Sequence, residues 1–242
     1  FNLKYPKMLE IKDLTYTIGN KVILLDLSLF VPPQSIYALL GANGAGKTTL
    51  FQLILGLKQP NRGSITLNGI SLTAQNRATF MRQLGILFDR APLYDHLSAL
   101  ENLEQSRRIY NTPPATSWEM LEMVGLTPVA KEKVSTFSMG MKQRLGIALA
   151  MVGKPSFLLL DEPTNGLDPQ GIAELRHIIR QLHQTQQITC LLSSHAIAEV
   201  EKIATHTGIL HQGAIVHEAT LDAQPTQTLE EIYFEKTNQK LL

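Results

Sequence analysis

The chain is poor in features that mark several large classes of protein, and each shortage narrows what it can be. One cysteine among 242 residues rules out a disulfide framework. That residue, Cys190, sits in the apolar run Ile188-Thr189-Cys190-Leu191-Leu192, where a small buried hydrophobe is expected rather than a ligand or nucleophile, in keeping with a reducing cytosol. Apolar runs stop far short of the roughly 20 residues that cross a bilayer as a helix, and no charged-apolar-small leader pattern opens the chain. A soluble globular protein that does not span a membrane is expected. Neither sign of charge prevails: 22 lysines and arginines against 21 aspartates and glutamates leave a net charge of +1 and no basic stripe, which argues against nucleic acid as the main partner. Low-complexity tracts and internal repeats are also missing, which excludes solenoids and arrays.

Against this plain background two stretches stand out. Gly41-Ala42-Asn43-Gly44-Ala45-Gly46-Lys47-Thr48-Thr49 fits G-x-x-x-x-G-K-[ST], a loop whose backbone N–H groups, from Asn43 through Thr49, wrap phosphates. Lys47 reaches the β and γ oxygens of a nucleoside triphosphate, and Thr48 offers its hydroxyl to Mg²⁺. The surroundings agree: Ile36 to Leu40 reads as a buried strand, and Leu50, Leu53, Ile54 and Leu57 follow at helical spacing, placing the loop at an anion-favouring helix N-terminus. The second stretch, Phe157-Leu158-Leu159-Leu160-Asp161-Glu162-Pro163, is an apolar strand that delivers two carboxylates to its C-terminal edge, where open α/β sheets bind ligands. Asp161 suits the Mg²⁺ shell and Glu162 suits polarising the attacking water. The plainer alternative is that Asp161 caps a turn and Glu162 is solvated.

Strands and helices alternate along the chain, with one interruption. Residues 9–31 hold two strand-like runs, the second with Leu25, Leu27, Leu29 and Val31 alternating against Asp26, Ser28 and Phe30, and Gly63 to Asn68 adds another. From about 92 to 155 the spacing is helical, as in Leu145, Ala148, Leu149 and Val152. A strand from Phe157, a helix with Ile172, Leu175, Ile178, Ile179 and Leu182 on one face, a strand from Ile188, and a hairpin turning at Gln212-Gly213 complete the chain. Met8 reads as a natural start, with residues 1–7 a flexible arm or a remnant of expression.

The interruption carries the most specific motif. Phe137-Ser138-Met139-Gly140-Met141-Lys142-Gln143-Arg144-Leu145 resembles the signature of ATP-binding cassette (ABC) ATPases, in the S-x-G-M-K-Q-R form found among exporters of the bacitracin and lantibiotic group. Asn165-Gly166-Leu167-Asp168-Pro169 is similar to the family's D-loop, and Ser193-Ser194-His195 to its switch histidine. The resemblance covers roughly residues 9–236. It implies an α/β fold over residues 8–236: a P-loop NTPase (RecA-like) core from 8–91 and 156–236 with an N-terminal antiparallel β element, and an inserted α-helical subdomain at 92–155. It implies ATP and Mg²⁺, a second cassette as partner, and integral membrane permease subunits met at the cytoplasmic face of the membrane. Ser138, Gly140 and Met141 would receive the γ-phosphate held by the other cassette, Asp168 would face that cassette, and His195 would hold the γ-phosphate. An alternative reading is a soluble cassette ATPase that remodels a protein or metal-cluster scaffold with no permease. A nucleic-acid-binding cassette would want a long coiled coil, paired cassettes or a basic linker.

Three departures from the family pattern bear on the site. Where the family stacks adenine on an aromatic ring this chain has Ile18, with Tyr16 two positions upstream on the same strand face. The strand Leu84-Gly85-Ile86-Leu87-Phe88 ends in Asp89 rather than glutamine, an anion able to ligate Mg²⁺. Met139 and Met141 replace Gly and Gln. Downstream of Asp89, Leu93 and Tyr94 in Ala91-Pro92-Leu93-Tyr94 read as part of the groove that receives the permease, or else as local core.

Overall fold

The computed structural model describes residues 8–88, 91–221 and 227–238. In chain order the elements are β1 (Leu9–Ile18), β2 (Lys21–Val31), β3 (Ile36–Leu40), α1 (Lys47–Ile54), β4 (Arg62–Leu67), β5 (Ile70–Ser71), α2 (Arg77–Met81), β6 (Leu84–Leu87), α3 (Ala99–Tyr110), α4 (Ala115–Met123), α5 (Met139–Met151), β7 (Phe157–Leu160), α6 (Pro169–Gln186), β8 (Thr189–Ser194), α7 (Ile197–Val200), β9 (His206–His211), β10 (Ala214–Thr220) and α8 (Leu229–Thr237). They fall into two compact units, Phe1–Met81 with Thr189–Leu242, and Arg82–Ile188.

In the first unit β2-β1-β4-β5 form an antiparallel sheet. One face is buried, so β2 alternates, with Leu27, Leu29 and Val31 in and Ser28 and Phe30 out. Leu25 departs from the expected alternation and is 52% exposed. The register passes from Leu14↔Leu27 to Tyr16↔Leu24, leaving β2 one extra residue, and Asp26 takes a φ of 44°. That bulge turns Leu25 and Asp26 outward together and hands the inward place to Leu24. Elsewhere in the unit β3 lies parallel between β8 and β9, and β10 returns antiparallel to β9 through Gln212 and Gly213, both at positive φ. All five residues of β3 are buried, as a strand covered on both faces requires. Helix α1 buries Leu50, Phe51, Leu53 and Ile54, then stops. Gly56 at φ 61° donates to the Leu53 carbonyl and Leu57 N–H to the Gln52 carbonyl, a Schellman ending. Leu57, expected on the helix face, therefore lies beyond the helix and is 59% exposed.

In the second unit β6 and β7 pair in parallel, and every residue of β7 is buried. Residues 92–155 carry α3, α4 and α5 with two short 3-10 turns. Helix α3 starts on a reciprocal cap: Ser98 Oγ accepts from Glu101 N–H and Glu101 Oε2 accepts from Ser98 N–H. Helix α5 lies close on β6 because Gly146 has no side chain; a Cβ there would stand 2.6 Å from Leu87 Cδ1 and 2.7 Å from Ala91 Cβ. Helix α6 starts with Pro169 after the cap Asp168 and buries Leu175, Ile178, Ile179 and Leu182.

Candidate active site

In the first unit the chain leaves β3 at Gly41 and turns into α1 through a loop that only glycine can follow at one point. Gly46 holds φ at 115°, and a Cβ on it would lie 2.7 Å from Leu24 Cδ2. Gly44, at φ 82°, and Asn43 are exposed, while Ala45 and Gly46 are buried. Gly46 caps α1 with no side-chain bond, and the first turn carries no acid, so no side chain of the helix's own start offsets the positive end of its dipole. Lys47 is 6% exposed, and its ammonium donates to the Gly41 carbonyl at 2.6 Å and the Ala42 carbonyl at 3.3 Å. A cation is thus held against the loop's inner edge by the loop's own carbonyls. Thr48 is exposed one residue on, and Thr49 half-buried. His195 follows β8 directly and is exposed; the Gly41 N–H donates to the carbonyl of its neighbour Ser194 at 3.3 Å, which ties the start of the loop to the end of β8. Tyr16 stands opposite Leu24 across the β1–β2 pair and is half-buried, with the Lys58 ammonium 5.2 Å from its ring centroid. Ile18 is 52% exposed.

In the second unit Asp161 directly follows β7 with 4% exposure, its N–H donating to the Leu87 carbonyl at 2.8 Å. Glu162 is half-buried at φ 47°, and its carbonyl accepts from Asn165 N–H at 3.0 Å, closing a turn. Ser138 caps α5, its Oγ accepting from Met141 N–H at 3.2 Å. Around Gly140 no atom comes nearer than 3.8 Å to where a Cβ would stand, so its backbone is approachable. Ser138, Gly140, Met141, Gly166 and Asp168 line one cavity of about 380 Å³. Asp168 caps α6 through Oδ1, which accepts from Gly171 N–H at 2.7 Å. Asp89 lies outside the described residues. No cluster of three metal-ligating side chains occurs among the described residues. Mg²⁺ needs no such cluster, because it takes one or two protein oxygens and completes its shell with water and phosphate; the Thr48 hydroxyl and the Asp161 carboxylate are each a hard oxygen donor of the kind it takes.

Two further buried polar side chains hold loop backbone in this unit. Asn102, 3% exposed, accepts from Tyr94 N–H at 2.8 Å and donates to the Tyr94 and Ser98 carbonyls, fixing the loop in which Tyr94 is 56% exposed and Leu93 half-buried. Gln143, inside the signature run, donates to the Pro163 carbonyl at 2.9 Å.

Comparison with known proteins gives these arrangements their context. Residues 24–165 match the model of the ABC transporter family. The lantibiotic transport ATP-binding protein SrtF of Streptococcus pyogenes is 38% identical over 93% of this chain and 96% of its own. The bacitracin transport ATP-binding protein BcrA of Bacillus licheniformis is 38% identical over 96% of this chain and 76% of its own. Among solved structures, the dimeric post-hydrolysis state of the ATP-binding cassette MJ0796 bound to ADP and Pi superposes with a TM-score of 0.78, at 25% identity, over 90% of this chain and 100% of that one. The chain belongs to the ABC transporter family, as an ATP-binding and ATP-hydrolysing subunit.

Proposed function

We propose that this subunit drives export across a membrane from the cytoplasmic face, pairing with a second cassette and moving a separate permease. The observation that carries the pairing is the cavity that gathers Ser138, Gly140 and Asp168 at the start of α5 and α6. A helix N-terminus with a serine hydroxyl beside it is built to receive an anion, and the γ-phosphate of the ATP held by the other cassette is the anion assigned to it. The dimeric cassette with ADP and Pi supports that arrangement, and the lantibiotic and bacitracin relatives support export. No helix among the described residues is long and apolar enough to cross a membrane, so the path for cargo is assigned to the permease. Exposed Tyr94 on its Asn102-braced loop is the proposed contact with that permease.

The chemistry divides among residues already placed. Lys47 and the loop N–H groups are assigned to the phosphates, and Thr48 and Asp161 are each assigned to Mg²⁺, which when bound would neutralise charge on the phosphate oxygens. Glu162 orients the attacking water and draws its proton. His195 donates to a γ-phosphate oxygen, and Tyr16 contributes base stacking. The test uses the Glu162→Gln protein with ATP and Mg²⁺ in light scattering. The mass of two copies is expected, and of one copy once Ser138→Arg is added; a single-copy mass throughout contradicts the pairing. Purification from membranes with a chain bearing several apolar segments of about 20 residues separates export from scaffold remodelling.

A further inference from the structure

Gln143 lies in the second turn of α5 and is 3% exposed. A buried amide has to satisfy its donors, and Nε2 donates to the carbonyl oxygen of Pro163 at 2.9 Å. Pro163 directly follows Glu162, whose φ of 47° is a left-handed conformation that a residue with a side chain keeps only where its surroundings enforce it. Two of the enforcing bonds run from backbone to backbone: Asp161 N–H to the Leu87 carbonyl before Glu162, and Asn165 N–H to its own carbonyl after it. The bond from Gln143 is different in kind, because it comes from the helix that Ser138 and Gly140 open. A second link follows the same route, with Met139 Cε and Sδ 3.1 and 3.2 Å from where a Cβ of Gly166 would stand.

We infer that Gln143 is a positioning residue for hydrolysis, holding the Glu162 turn to the signature helix so that what binds at Ser138 and Gly140 bears on the aim of the Glu162 carboxylate. This rests on the reading that Glu162 orients water. The residues that hold the phosphates, Lys47 and Thr48, belong to the other compact unit, so the effect of losing the bond falls on turnover rather than on affinity.

The test is Gln143→Met, which keeps the length and removes the donor, measured by steady-state ATP hydrolysis beside wild type, Glu162→Gln and the double variant. A fall in kcat of about tenfold is expected with KM for ATP within about twofold, the loss of one well-placed hydrogen bond. On the Glu162→Gln background the same change should lower the residual rate by less than about twofold, because a residue acting through Glu162 has nothing left to position. Wild-type kcat in Gln143→Met, or an undiminished tenfold fall on the Glu162→Gln background, overturns the inference. Should Gln143→Met not fold, Gln143→Glu carries the same comparison, placing an oxygen where the donor was. Near wild-type turnover by Glu162→Gln alone instead defeats the assignment of Glu162, a result distinct from either of these.

Discussion

At the residue scale, the proposed seat of the nucleotide base is one place where this chain departs from the pattern it resembles. Ile18 offers no ring, and Tyr16 has the Lys58 ammonium over one face, so the proposed base stacking falls to a single aromatic ring already engaged by a cation. Phosphate contacts then dominate affinity, and ATP and GTP should bind within about tenfold of each other, since one aromatic contact contributes on the order of 1 kcal/mol. Tyr16→Ala should weaken both nucleotides by a similar factor of about five, read by competition with a fluorescent analogue. An ATP preference of about a hundredfold that survives Tyr16→Ala means other groups read the base. The places of Lys47 and Thr48 at the start of α1, and of Asp161 and Glu162 just after β7, were legible in the sequence because backbone geometry and chemistry fix the spacing of such motifs. The partners of Gln143 and Asn102 were not, because they are backbone carbonyls and amides, and any residue supplies those.

At the element scale, the main strands, α1, α6 and the helical stretch from 92 to 155 were legible from periodicity, whereas the short β5, α2 and α7 and the terminal α8 were not, and two misreadings within the legible elements have local causes. Leu25 keeps the two-residue rhythm that a bulge at Asp26 interrupts, and nothing in the letters marks the extra residue. Leu57 keeps the helical rhythm past the helix end, although Gly56 was there as the stop signal. The same attention to backbone conformation gives a prediction for the loop before α1. Gly46→Ala places a methyl at φ 115° and 2.7 Å from Leu24 Cδ2, whereas Gly44→Ala at φ 82° meets no atom within 4 Å. Gly46→Ala should therefore cost about 1–3 kcal/mol in urea unfolding and weaken ATP binding by at least about tenfold. Gly44→Ala should cost about 1 kcal/mol and weaken binding less. Equal effects would mean that the Leu24 contact does not constrain the loop.

At the scale of the whole molecule, the proposed function gives ATP binding and ATP hydrolysis to different residues. Binding and hydrolysis therefore separate by substitution. In the proposed division Lys47 brings charge to the phosphates in the ground state, while Glu162 acts on the water in the step that follows. The most direct measurement sets ATP affinity beside ATP turnover for three proteins: wild type, Lys47→Ala and Glu162→Gln. Lys47→Ala should lose affinity by about a hundredfold or more, and Glu162→Gln should bind ATP as wild type does while its turnover falls by about a hundredfold or more. Hydrolysis near the wild-type rate by Glu162→Gln, or wild-type ATP affinity in Lys47→Ala, contradicts the account.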